Sequence, residues 1–248
     1  INRFGFNNHG HEYFADKLKT HQGQKQGGVV GANVGANKDA TDRTADYEAG
    51  VRRLYGLSDY FTVNISSPNT PGLRALQSKA ALEDLIGRVL GVRAEKMAHG
   101  EPYIPILVKI APDLTDSDID DIAAVTLSSQ IDGLIVSNTT IARPETLRSA
   151  DKDQAGGLSG TPLMEPSTAM LRRIYQATSG KKPLIGVGGI ASGLDAYQKI
   201  KAGASLVQLY SALVYEGPGL VEKIKSDLNG LLRADGYNHV GDAVGADS

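Results

Sequence analysis

The sequence predicts an α/β fold of the (β/α)8 TIM barrel class, with the first two strands missing from the chain. Three observations carry this. Strand-like apolar runs alternate with helical periodicity, the pattern of a parallel sheet. The runs are apolar throughout, so both faces of each strand are buried. Each run ends in small polar or charged residues, and the strand ends are where α/β barrels keep their chemistry. Six βα units can be counted where a closed barrel needs eight, and the chain opens inside a polar loop with no strand before it. The expectation is one partial barrel domain over residues 1–248. A complete six-stranded open sheet is the competing reading; functional-looking residues at all six strand ends weigh against it.

In chain order, a helix is expected over residues 11–21, then a Gly- and Gln-rich connector over 22–28. The first strand is 29–34. A helix over 42–55 spaces Tyr47, Val51, Leu54 and Tyr55 along one face. The second strand, 60–65, runs into Asn64-Ile65-Ser66-Ser67-Pro68-Asn69-Thr70-Pro71-Gly72-Leu73-Arg74, where two prolines and a glycine break it. Leu82, Leu85, Ile86, Val89 and Leu90 mark a strongly amphipathic helix. The third strand, 105–110, is apolar except for Lys109. Thr115 caps the next helix, with Ile119, Ile122 and Ala123 turned inward. The fourth strand is 133–139, followed by a long polar excursion carrying Gly156-Gly157-Leu158-Ser159-Gly160. A helix over 167–177, strands at 184–189 and 206–210, and a helix over 220–233 complete the series.

Bulk properties exclude several classes. Hydrophobic residues make up 41% and charged residues 22% of the 248, which is ordinary globular composition. A net charge of -2 argues against a nucleic-acid partner. No window approaches the roughly 20 apolar residues that span a bilayer. With no cysteine, disulfides, thiolate metal sites and cysteine nucleophiles are all removed. His9, His11, His21, His99 and His239 show no metal-ligand spacing, so no metal is expected.

The strand ends supply Asn33; then Asn64, Ser67, Asn69 and Thr70; then Lys109; then Ser137, Asn138 and Thr139; then Gly188 and Gly189; and last Tyr210 and Ser211. In a barrel these converge on one mouth around one ligand. Any single asparagine here could be a turn residue, but six matching ends are harder to read as structural. Lys109, inside Ile106-Leu107-Val108-Lys109-Ile110, is costly to bury without an anion to pair it, unless it snorkels to solvent. Gly186-Val187-Gly188-Gly189-Ile190-Ala191 fits a loose dinucleotide pattern, yet the following strand ends in Tyr210-Ser211-Ala212 with no acid. A barrel phosphate site, built from backbone N–H groups and a short helix start, fits better. For Gly186 a packing role stays open. No carboxylate pair suits glycosidase chemistry, and Ser67 has neither a nucleophile elbow nor a histidine beside it.

These motifs resemble the class 2, quinone-dependent dihydroorotate dehydrogenases along the whole chain. The resemblance is carried by the Asn64 to Arg74 loop and by the opening Ile1-Asn2-Arg3-Phe4-Gly5-Phe6-Asn7. Also similar are Val108-Lys109-Ile110-Ala111-Pro112-Asp113, Ser137-Asn138-Thr139-Thr140, Gly156-Gly157-Leu158-Ser159-Gly160, Gly186-Val187-Gly188-Gly189-Ile190 and Gly203-Ala204-Ser205-Leu206-Val207-Gln208-Leu209-Tyr210-Ser211. Class 1 enzymes carry a cysteine in that loop where this chain has Ser67. The resemblance implies oxidation of dihydroorotate to orotate in pyrimidine biosynthesis, with electrons passing through FMN to a quinone. It implies FMN contacts from Asn33, Asn64, Lys109, Ser137, Gly160, Gly188, Gly189, Tyr210 and Ser211. Substrate contacts would come from Asn2, Phe6, Asn64, Asn69, Asn138 and Thr139. Ser67 would be the base at C5 while C6 delivers hydride, with Thr70 and Phe6 supporting a proton relay and Lys109 stabilising negative charge on reduced flavin.

It further implies peripheral membrane contact through an absent N-terminal region. That surface would be the cytoplasmic face of the inner membrane in a bacterium, or the mitochondrial inner membrane in a eukaryote. Another FMN barrel oxidoreductase, or a non-catalytic flavin-binding remnant of the same barrel, are the alternatives.

Overall fold

A computed structural model describes every residue except 25 and 26. Six parallel strands form one sheet in sequential order: β1 (Gly31–Val34), β2 (Tyr60–Asn64), β3 (Ile106–Ile110), β4 (Gly133–Val136), β5 (Leu184–Val187) and β6 (Leu206–Gln208). This is six strands of a (β/α)8 barrel, with β1 and β6 as its unpaired edges. The helices are α1 (His11–Gly23), α2 (Arg43–Leu54), α3 (Lys79–Ala98), α4 (Asp116–Ser128), α5 (Met164–Ala177), α6 (Gly193–Lys201), α7 (Ser211–Glu216) and α8 (Gly219–Ala234). The connector expected over residues 22–28 includes residues 25 and 26, which lie outside the described residues.

Every expected strand is present but shorter than the apolar run that announced it. β1 begins at Gly31 rather than residue 29, and β4, β5 and β6 stop two or three residues early. The final residues of those runs have already left the ladder to form the mouth. Side-chain alternation explains the burial. In β3, Ile106, Val108 and Ile110 are buried, whereas Leu107 and Lys109 between them are only partly covered. The register aligns Asn64 with Lys109, Lys109 with Ile135, Ile135 with Ile185, and Ile185 with Leu206. One ring of inward positions therefore runs around the sheet and ends at Leu206, 62% exposed on the β6 edge. The outward face packs beneath the helices on Phe61, Val63, Val108, Leu134 and Leu184.

Two corrections concern helices. α6 has no counterpart among the expected helices, although Ser192 caps it by accepting the Asp195 N–H, and Ala196, Tyr197 and Ile200 line its buried side. The helix expected from residue 167 begins three residues earlier, at Met164. On α3 the apolar face is real, but it also carries Arg93, only 5% exposed. Its Nη1 donates to Asp132 Oδ2 at 2.7 Å and its Nη2 to the Gln130 carbonyl at 2.7 Å, tying α3 to the entry of β4. Arg93→Met should lower stability by about 1–2 kcal/mol in urea unfolding, because two charge-assisted hydrogen bonds are lost while Asp132, partly exposed, keeps the Tyr103 hydroxyl and the Ile106 N–H.

Candidate functional site

The C-terminal strand ends enclose a cavity of about 540 Å³, a size suited to a small cofactor with substrate. Of the sequence-derived candidates, Asn2, Phe6, Asn64, Ser67, Asn69, Lys109, Ser137, Asn138, Thr139, Gly160, Gly188, Gly189, Tyr210 and Ser211 line it. Asn33 and Thr70 do not. Asn33 stands on the open β1 edge and reaches the site through a neighbour, while Thr70 is 5% exposed within the loop.

An amide chain crosses three strands. Asn64 Nδ2 donates to Asn33 Oδ1 at 3.2 Å, and Asn138 Nδ2 donates to Asn64 Oδ1 at 3.1 Å. Asn138 Oδ1 in turn accepts the Thr139 N–H at 2.8 Å. Such a chain fixes which end of each amide faces the cavity, since every oxygen is matched to a donor. Two residues outside the expected set hold it. Ser66 Oγ donates to the Lys109 carbonyl at 2.7 Å and lies 3.2 Å from Asn138 Nδ2. Tyr47, fully buried on α2, donates its hydroxyl to the Asn64 carbonyl at 2.7 Å. Ser66 stood in the singled-out loop, so its position was visible but its role was not. Tyr47 looked like core, and no local signal marks its hydroxyl.

The loop that follows β2 is clamped by Arg74. Its Nε donates to the Ser66 carbonyl at 3.2 Å, its Nη2 to the Thr139 carbonyl at 3.0 Å, and its Nη1 pairs with Asp113 at 2.7 Å. Asp113 also accepts the Thr140 hydroxyl and the Ile141 N–H. One guanidinium thus joins the ends of β2, β3 and β4. Ser67 Oγ accepts the Asn69 N–H at 3.2 Å, and Asn69 Nδ2 donates to Asn2 Oδ1 at 3.2 Å. Asn2 itself is bridged to Gly157 by two backbone hydrogen bonds, so the opening segment closes one wall. A Cβ on Gly157 would fall 1.9 Å from Thr139 Oγ1, so only glycine lets the excursion lie there.

Lys109 lines the cavity, and its ammonium has no hydrogen-bond or ion-pair partner among the described residues. Burial pulls its pKa below the usual lysine value. At the opposite wall Gly188 and Gly189 adopt φ of 118° and 79°, and a Cβ on Gly189 would sit 2.4 Å from Met164 Cα. Ser211 Oγ donates to Ser159 Oγ at 3.0 Å beside them. An unpaired cation, a polar amide wall and a glycine and hydroxyl rim suit a ligand that carries a polar ring and a phosphate. Gly186, by contrast, is packed, since a Cβ there would lie 3.1 Å from Ala204 Cβ.

Comparison with known proteins identifies the family. A dihydroorotate dehydrogenase family model matches residues 1–232. The chain is 58% identical over 247 residues to a dihydroorotate dehydrogenase (quinone) of Parvibaculum lavamentivorans, covering all of this chain and 68% of that protein. It is 52% identical to the one of Xanthobacter autotrophicus, covering 69% of it. In structure it resembles the Eimeria tenella DHODH crystallised with ferulenol, with a TM-score of 0.93 and 39% identity, over all of this chain and 71% of that one. The chain belongs to the dihydroorotate dehydrogenase family and, within it, to the quinone-dependent type.

Proposed function

We propose that the cavity binds FMN beside dihydroorotate and that Ser67 takes the C5 proton in the oxidation of dihydroorotate to orotate, the pyrimidine-biosynthetic step of this family. The observation that carries this reading is the unpaired Lys109 ammonium facing the same cavity as Ser67 and the amide chain. When bound, FMN supplies the hydride acceptor and the route by which electrons reach a quinone. The chain's own residues do the rest. Asn64, Asn69, Asn138 and Thr139 present amide and hydroxyl groups that would hold the substrate's carboxylate and ring amides in one orientation. Phe6 lines the cavity, packs against Gly35 and would exclude water from the reacting carbons.

Ser67 is 6% exposed and its Oγ accepts the Asn69 N–H, a contact that favours negative charge on the oxygen. Thr70, buried three residues further along, is the next hydroxyl on the proton's way out in this proposal. No hydrogen bond joins the two among the described residues, so the relay requires a water or a small loop movement. The experiment is direct: purified enzyme should be yellow, bleach with dihydroorotate and recover with a soluble quinone. A flavin that dihydroorotate leaves oxidised would overturn the reading.

The quinone partner implies a lipid surface, and we place the protein at a membrane by peripheral contact. Among the described residues no helix is long and apolar enough to cross one. The loop clamp adds a kinetic expectation. Arg74→Ala should slow flavin reduction roughly 10-fold or more, as expected when a positioning contact is lost. Because the Arg74–Asp113 pair is partly exposed, the melting temperature should move little. Stopped-flow reduction and a thermal melt on the same sample check both halves.

A further inference from the structure

Behind the glycine rim lies a lysine that the mechanism above does not use. Lys199, on α6, is 0% exposed and among the largest fully buried side chains. Its Nζ donates to Ser167 Oγ at 2.5 Å and approaches the Met164 carbonyl at 3.4 Å. Ser167, also fully buried, holds its Oγ 2.6 Å from the Leu163 carbonyl and 3.1 Å from the Gly188 carbonyl. Leu163, Gly188 and Gly189 all line the cavity. The ammonium is thus two hydrogen bonds from the backbone of the rim, on its inner side.

The charge is what needs explaining. A buried ammonium without an ion pair is costly, and a methionine of similar length would pack the same space. Asp195, one turn earlier on α6, is the carboxylate that acts on Lys199. It is also occupied in capping the helix, accepting the Ala191 N–H and the Ser192 hydroxyl. Burial, partly opposed by Asp195, brings the Lys199 pKa down to about 7. A dianion on the far side of the rim would restore the charge.

We propose that Lys199 is a positioning residue of the phosphate site, fixing the inner wall of the Gly188–Gly189 rim through Ser167 and setting a positive charge behind it. This rests on reading the rim as the place of the FMN phosphate. The test uses the full-length enzyme, stripped of flavin and titrated with FMN and with riboflavin, which shares the ring but lacks the phosphate. Wild type should prefer FMN; equal affinities would overturn the phosphate site itself. Lys199→Met should weaken FMN by about 10-fold or more, the scale of one charged hydrogen-bond contribution, and leave riboflavin unchanged. The phosphorus NMR resonance of bound FMN should shift with it. Equal loss of both ligands, or no loss of either, would reduce Lys199 to a packing residue and end the proposal. If Lys199→Met does not fold, Ser167→Ala, which cuts the link and keeps the lysine, should lower the FMN-to-riboflavin ratio in the same direction. An unchanged ratio there would overturn the proposal as well.

Discussion

Replacing Ser67 with alanine is expected to slow flavin reduction by dihydroorotate about 10²–10⁴-fold while the purified protein stays yellow, the range for losing a general base. The expectation rests on where the hydroxyl stands. Ser67 lines the cavity, is nearly enclosed, and is the hydroxyl that takes an N–H from the loop's own Asn69. Asn64 and Lys109, the groups proposed to face the flavin, make no hydrogen bond to Ser67 among the described residues, so flavin affinity should be untouched. Ser67→Cys separates the base from mere shape. A thiol ionises far more readily than an alcohol, so this variant should recover part of the rate and show a pH dependence in the thiol range. Stopped-flow bleaching at several pH values measures both. An alanine variant that bleaches at the wild-type rate would assign the proton to another group.

The fold and most of the site were legible in the sequence because barrels place chemistry by strand rather than by distance along the chain. An apolar run that ends in Asn, Lys, Ser or Gly states both where its strand stops and what it offers to the mouth. That logic found Asn64, Lys109, Ser137 and Asn138, all of which the structure gathers around one cavity. It could not find partnerships made at long range. Arg74 reaches Asp113 and Thr139 across 39 and 65 residues, and Tyr47 reaches Asn64 from the back of α2. Nor could it show that Asn33, at the end of β1, meets the other strand ends through a hydrogen bond from Asn64. Lys199 escaped for a different reason. On a short helix between two strands, a lysine among polar residues has the local signature of a surface residue, and only packing against α5 buries it.

Lys109→Met should produce the second large effect, weaker flavin binding together with a reduction rate lower by about 10²–10³-fold. The side chain faces inward near the C-terminal end of β3, level with Asn64 on one side and Ile135 on the other, with no anion beside it among the described residues. A cation kept in that position destabilises the flavin-free protein and becomes favourable once negative charge gathers opposite it. The sign can be followed by titration. Burial lowers the Lys109 pKa in the folded state below its ordinary 10.5, so the unfolded chain holds more protons across the window between the two values. Flavin-free protein should therefore gain stability as pH rises through that alkaline window, and Lys109→Met should diminish the gain. It should not abolish it, because Lys199, lowered to about 7, contributes in the same direction. With FMN bound, the wild-type dependence should flatten, since an anion in the cavity restores the ammonium. Urea unfolding at pH 7 to 10, with and without FMN, distinguishes these cases. If Lys109→Met leaves the pH dependence of the flavin-free protein unchanged, the ammonium is solvated through the cavity, and the reading of Lys109 as a buried cation awaiting an anion falls.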